Sequence, residues 1–153
     1  MKKILLIFWS ILITLSLSAC NKTENEPEKS PEQIIENMKL KVTIGDIVLT
    51  ATLADNATAK DFISLLPQTV KLDDYANTEK IFYPERKLST KGAGSINAVA
   101  GDITYYSPWG NVAIFYKDFG NSSSLIRIAK FDGNIDTLKT AGSIENVKFE
   151  LME

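Results

Sequence analysis

The chain has 153 residues, with 17 Lys and Arg against 19 Asp and Glu, no histidine and one cysteine. The missing histidine excludes Ser-His-Asp and Cys-His catalysis, histidine metal ligands and histidine pH switching. A lone cysteine allows no disulfide or thiolate cluster, so no metal site and no cofactor is expected, and an acidic chain without a basic run is a poor nucleic-acid partner.

Lys2 and Lys3 precede an apolar run from Ile4 to Leu17, interrupted by Ser10, Thr14 and Ser16. The run has the length of a secretion-signal core and is short for a membrane span. It ends in Leu17-Ser18-Ala19-Cys20, which resembles the bacterial lipobox, small residues before an obligatory cysteine. The resemblance implies cleavage of residues 1–19, a diacylglycerol thioether on Cys20, and acylation of the new amine by a fatty acid such as palmitate. Several acyl chains on one residue give lasting membrane attachment. The expected location is the bacterial cell envelope. Asn21, rather than an aspartate, follows the cysteine, which favours the outer membrane where the host has one. Cleavage leaves 134 residues, and because Lys2 and Lys3 are the charges lost, the net charge moves from −2 to −4. Residues 20–37 carry the lipidated cysteine and then an acidic stretch with Pro27 and Pro31, the composition of a flexible tether. The folded domain is expected over residues 38–153, near the commonest single-domain size.

Within that domain Leu40, Val42 and Ile44 alternate with Lys39, Lys41 and Thr43, the period of a half-buried strand. Gly45-Asp46 fits a two-residue turn, and Ile47, Leu49, Ala51 and Leu53 alternate again, which predicts a hairpin. Thr58 is expected to cap a short helix, with Asp61 at the capping-box spacing and Phe62, Leu65 and Leu66 on its buried face before Pro67. Val70 and Leu72 begin another strand. Residues 76–101, with Tyr83-Pro84-Glu85-Arg86 and the Gly92-Ala93-Gly94-Ser95 stretch, read as a long irregular connection. Ile103 to Tyr106 and Val112 to Tyr116 read as strands around the Ser107-Pro108-Trp109-Gly110-Asn111 turn, the second nearly all apolar and so expected to be central. Asp118 to Ser124 reads as a polar loop, Leu125 to Ala129 as a strand, Asp136 to Ala141 as a helical turn, and Val147, Phe149 and Leu151 as a final strand. Many short strands separated by turn signals point to a mainly β sandwich or barrel.

Several stretches resemble bacterial proteins of a cyclophilin-like β-barrel family. They are Met38 to Gly45, Ala59 to Pro67, Gly101 to Tyr106, Ile114 to Phe119, and Leu125 to Ile128, although many relatives have glycine where this chain has Ala129. The resemblance covers about Lys39 to Leu151 and implies a closed or nearly closed barrel with one or two short helices. Cyclophilins proper are peptidyl-prolyl isomerases. They lower the roughly 18–20 kcal/mol amide rotation barrier by placing a donor, usually arginine, beside the prolyl amide. Of the two arginines here, Arg127 falls in a strand and Arg86 is the placeable one. Lys87-Leu88-Ser89-Thr90-Lys91 after Arg86 does not match the family's catalytic stretch, so no catalytic residue carries over. Paired-carboxylate chemistry at Asp73 and Asp74 is disfavoured, since adjacent strand residues face opposite ways.

The expected function is therefore a membrane-anchored envelope lipoprotein with a cyclophilin-like domain acting as a non-catalytic binding or scaffold module. The alternative is an isomerase acting on exported proteins. The expected partners are the membrane, through the lipid at Cys20, and a peptide or protein ligand. Exposed aromatics and arginine dominate binding hot spots, which makes Tyr83, Arg86, Tyr106, Trp109 and Tyr116 the candidate ligand-binding residues. Trp109 leads, because it sits in a Pro-Trp-Gly turn rather than in a strand.

Overall fold

The computed structural model of the chain describes residues 38–152. Cys20 and the segments read as signal and tether lie outside these residues. The first hairpin forms as its alternation predicts. Strand β1 (Lys39–Ile44) turns through Gly45 and Asp46 into β2 (Ile47–Leu53), with Ile44 opposite Ile47. Gly45 takes φ +56°, the left-handed conformation that this position of a two-residue turn demands. Leu40, Val42, Ala51 and Leu53 all point into the core.

Helix α1 (Ala57–Ile63) is capped by Asn56 and not by Thr58. The Asn56 side chain accepts from the Ala59 N–H at 2.8 Å and donates to the Arg127 carbonyl at 2.8 Å. One amide thus caps the helix and fastens it to the barrel, which the Thr58 hydroxyl, two residues later and already inside the helix, cannot do. Thr58 instead donates to the Ser89 carbonyl at 2.6 Å, and Asp61 accepts from the Ser89 N–H at 2.6 Å. Phe62 is fully buried and meets Phe82 and Phe149 at ring distances of 6.5 and 6.2 Å.

Strand β3 (Gln68–Tyr75) pairs with β4 (Glu79–Phe82), so residues 76–101 are not the irregular connection their composition predicts. The turn between them, Ala76-Asn77, has φ +52° and +53° without a glycine, so it lacks the usual hairpin signal. Lys80 points inward, which inverts the polar-out alternation by which a strand is recognised. The same stretch also holds β5 (Ile96–Ala98). It pairs with β8 (Gly120–Ser122), which lies inside the region expected to be a polar loop.

Strands β6 (Asp102–Tyr106) and β7 (Asn111–Phe115) form the second hairpin, followed by β9 (Leu125–Phe131), a 3-10 turn at Asp136–Lys139 and β10 (Ile144–Leu151). Eight strands close an antiparallel barrel in the order β1-β10-β3-β4-β7-β6-β9-β2. Closure leaves these eight strands no unpaired edge. The β5–β8 ribbon lies outside the ring. Two apolar clusters result. The larger fills the barrel with Leu40, Val42, Leu72, Phe82, Ile103, Val112, Ile114, Ile128 and Phe149 among others. The smaller, Ala98, Ala113, Phe115 and Leu125, seals the ribbon against the outer face of β7. This double covering is why β7 is apolar on both faces and buried along its whole length.

Candidate functional site

With Val112 and Ile114 committed to the interior, alternation sends Asn111, Ala113 and Phe115 of β7 outward. Across the ladder Phe115 faces Glu79, Asn111 faces Tyr106, and Tyr75 faces Glu79 from β3. These outward residues, with Trp109 from the β6–β7 turn and Phe119, Ser122 and Ser124 from the ribbon side, line a cavity of about 330 Å³. That volume is at the lower end of the range for small-ligand pockets. The cavity lies on the outside of a barrel whose interior is filled by side chains.

The aromatic lining is unusually exposed for a folded domain. Tyr75, Trp109 and Phe119 are 42%, 50% and 57% exposed. Trp109 stands nearly perpendicular to Tyr75 and to Tyr106, at 87° and 83°, with both ring distances 5.5 Å. Its turn is held firmly. The Ser107 N–H donates to the Ser124 carbonyl at 3.0 Å, and the Gly110 N–H donates to the Tyr106 carbonyl at 2.9 Å. Gly110 has φ +79°, a backbone conformation that strains any residue with a side chain, so glycine is favoured there.

Two polar groups in this apolar wall lack partners. Glu79 is half-buried, and desolvation alone pushes its carboxyl up to about 7, with no cation or hydrogen-bond donor among the described residues to offset it. The Asn111 Oδ1 is sealed from solvent and accepts no hydrogen bond. Buried polar atoms are nearly always satisfied, so an orphan acceptor in a pocket marks a place where something else is expected to donate.

Of the candidate residues read from the sequence, the structure brings Tyr106 and Trp109 together here. Tyr116 lies elsewhere. It is buried, follows the inward register of Val112 and Ile114, and donates its hydroxyl to Asp74 at 2.7 Å. Burial and the Asp74 carboxylate push its phenol up to about 12, so it keeps its proton. Asp74 also receives the ammonium of the fully buried Lys80 at 2.8 Å, and Lys80 donates further to the Thr140 and Gly142 carbonyls at 2.6 Å each. Arg86 is exposed and ties its loop to α1 through Asp61 and Ser64, and Tyr83 is 60% exposed; neither lines the cavity. The pairing with Arg86 and the Ser89 N–H holds the Asp61 carboxyl below its usual range. Asp102, fully buried, is gripped by Arg127 through two 2.9 Å bonds and accepts from the Val99 N–H at 3.0 Å. It anchors the turn leading out of β5.

Sequence reasoning missed Tyr75, Glu79, Asn111 and Phe119. Glu79 sits in the unread strand β4, and nothing in the order of residues marks which of many acids is desolvated.

The family model described as the Cyclophilin-like family matches residues 42–150. The chain belongs to the Cyclophilin-like family. Among solved structures, this cyclophilin-like domain is similar to the solution structure of the hypothetical protein AF2241 from Archaeoglobus fulgidus. The two share 19% identity, a TM-score of 0.56, and coverage of 74% of this chain and 93% of that one. At that identity the likeness concerns the fold alone. No curated protein matches the chain.

Proposed function

We propose that this cyclophilin-like protein is an envelope lipoprotein, held to a membrane by acyl chains at Cys20, whose barrel acts as a non-catalytic binding module. The binding surface is the cavity around Trp109, and its ligand is a peptide or protein segment. One observation carries the reading. Three aromatic side chains, Tyr75, Trp109 and Phe119, stay exposed around a concave site on a barrel with an otherwise well-packed core. Exposed aromatics grouped in a concavity are the usual anchors of binding sites.

The anchor is tested by mass spectrometry of the mature protein from its membrane fraction. The expected product begins at Cys20 and carries acyl mass that Cys20→Ala abolishes; an unmodified Cys20 rules the anchor out. The binding role is tested by a ligand-detected NMR screen of short peptides of all charges. Hits are expected that Trp109→Ala removes, and hits indifferent to that change overturn the assignment to this cavity. A prolyl-isomerisation assay decides on catalysis. No acceleration is expected at micromolar protein, and acceleration lost in Arg86→Ala overturns the non-catalytic reading.

A further inference from the structure

We propose that the Trp109 cavity selects a cation, the lysine or arginine side chain of an extended peptide, by enclosing it between aromatic rings and the Glu79 carboxylate. The inference rests on the binding role of this cavity and names the chemistry that the cavity accepts.

Three observations converge. First, Trp109 makes near-perpendicular contacts with Tyr75 and with Tyr106, so three aromatic rings border one space. Aromatic faces carry negative electrostatic potential and attract ammonium and guanidinium groups, most strongly where water is excluded. Second, the acid among these rings has no cation of its own. Tyr75 lies directly opposite Glu79 across the β3–β4 ladder, and Phe115 lies opposite it across the β4–β7 ladder. Elsewhere in the fold a buried acid is paired: Asp74 with Lys80, Asp102 with Arg127. Glu79 is the acid of the cavity left without one among the described residues. Third, Asn111 lines the other end of the same outer face, its Oδ1 unpaired but covered, so that it meets a ligand donor once the side chain turns toward the cavity. Asn111 and Phe115 are four positions apart on β7, roughly 13 Å along a strand. A ligand that satisfies both acceptors therefore carries donors separated by several bonds. A peptide with a basic side chain does so, its cation at Glu79 and a backbone N–H at Asn111. A small free amine reaches only one.

Protonation supplies an independent signature. Desolvation places the Glu79 titration near neutrality. The groups around it are the phenols of Tyr75 and Tyr106 in the cavity and Tyr116 behind it, with Asp74 and Lys80 already joined to each other on the inner side. Tyr116 is raised to about 12 and stays neutral, and Asp74 is held low, so Glu79 is the group here that changes charge near pH 7. Cation affinity then falls as pH drops through 7.

The test uses the full-length gene product in detergent with Trp9→Phe, which leaves Trp109 as the sole indole whether or not residues 1–19 have been removed. Fluorescence titrations compare N-acetylated, C-amidated tripeptides Gly-X-Gly, where X is lysine, arginine, norleucine or glutamate, with n-butylammonium. The lysine and arginine peptides are expected to bind at least about tenfold tighter than norleucine, and the glutamate peptide more weakly still. Affinity for lysine is expected to drop about tenfold between pH 8 and pH 6, and Glu79→Gln is expected to abolish both the preference and the pH effect. Norleucine binding as tightly as lysine overturns the cation inference and leaves the binding role intact. No response to any peptide overturns the cation inference, while the wider screen with Trp109→Ala judges the binding role separately. n-Butylammonium matching the lysine peptide overturns the peptide arm and assigns the site to free amines. A preference that survives Glu79→Gln removes Glu79 from the explanation.

Discussion

Glu79 and Lys80 are neighbours in β4, and neighbouring strand residues face opposite sides. Lys80 points into the barrel, is fully buried, and has three acceptors: Asp74, Thr140 and Gly142. Glu79 points outward into an aromatic cavity and has no donor or cation among the described residues. Two charges of opposite sign, one peptide bond apart, are thus treated in opposite ways. Inside the barrel the ion pair is completed by backbone carbonyls and by the Tyr116 hydroxyl, as a charge removed from water requires. Outside, a carboxyl is desolvated and left incomplete. A partnered buried charge holds a structure together; an unpartnered one costs stability, and such perturbed groups cluster at functional sites.

The sharpest way to break this contrast is Lys80→Met. It strands Asp74 and two carbonyls, and a loss of about 3–5 kcal/mol is expected in urea unfolding. Adding Asp74→Asn should recover part of that loss, because the two residues share one network. A non-additivity of zero between them would show that they act independently.

The effect of Glu79→Gln runs the other way and depends on pH. The folded carboxyl is pushed up to about 7, against about 4.5 in the unfolded chain. The native state therefore binds the proton more tightly than the unfolded chain, and native stability falls as pH rises from 4.5 to 7. The glutamine form lacks that penalty. It should match the parent at pH 4 and exceed it by about 2 kcal/mol at pH 8, after allowance for partial solvent screening. A parent chain as stable at pH 8 as at pH 5, relative to the glutamine form, would refute the unpartnered state of Glu79.

Tyr116→Phe is expected to cost about 1–2 kcal/mol, the value of one hydrogen bond to a charged group. Calorimetry at pH 7 checks it, and peptide binding should not change. The smallest effect belongs to Tyr83→Ala. Its exposed ring sits away from both regions, so stability should move by less than about 0.5 kcal/mol and binding should stay constant. Weakened binding in that variant would extend the site beyond the Trp109 cavity.

Much of the barrel was legible because its hairpins obey simple alternation. Leu40-Val42-Ile44 and Ala51-Leu53 declare their buried faces and Gly45 declares the turn, although Ile47, which alternation also assigns to the buried face, is 47% exposed beside that turn and Leu49 is only partly buried. Strand β4 was not legible, for two physical reasons. Its preceding turn uses Ala76 and Asn77 at positive φ where a glycine is expected, and its inward residue is the lysine that tertiary partners make tolerable. Strands β5 and β8 are three residues each and include Asn97, Gly120, Asn121 and Ser122, poor strand formers held by the cluster beneath them. Of the cavity lining, Tyr106 and Trp109 were readable, since aromatics beside a Pro-Trp-Gly turn have few places to hide. The rest depends on which acid loses its water, and that is fixed only when β3, β4 and β7 come side by side.

The closed ring also fixes an orientation. The domain is entered at Lys39 of β1, and β7, which floors the cavity, is four strands away in either direction round the barrel. Entry point and cavity floor are on diametrically opposite walls. A surface that grips this molecule by its N-terminal side therefore leaves the far wall facing outward. Immobilised on a bead or a sensor chip through that end, the domain should keep its full capture capacity, whereas coupling through Ser122→Cys, in the cavity lining, should block it.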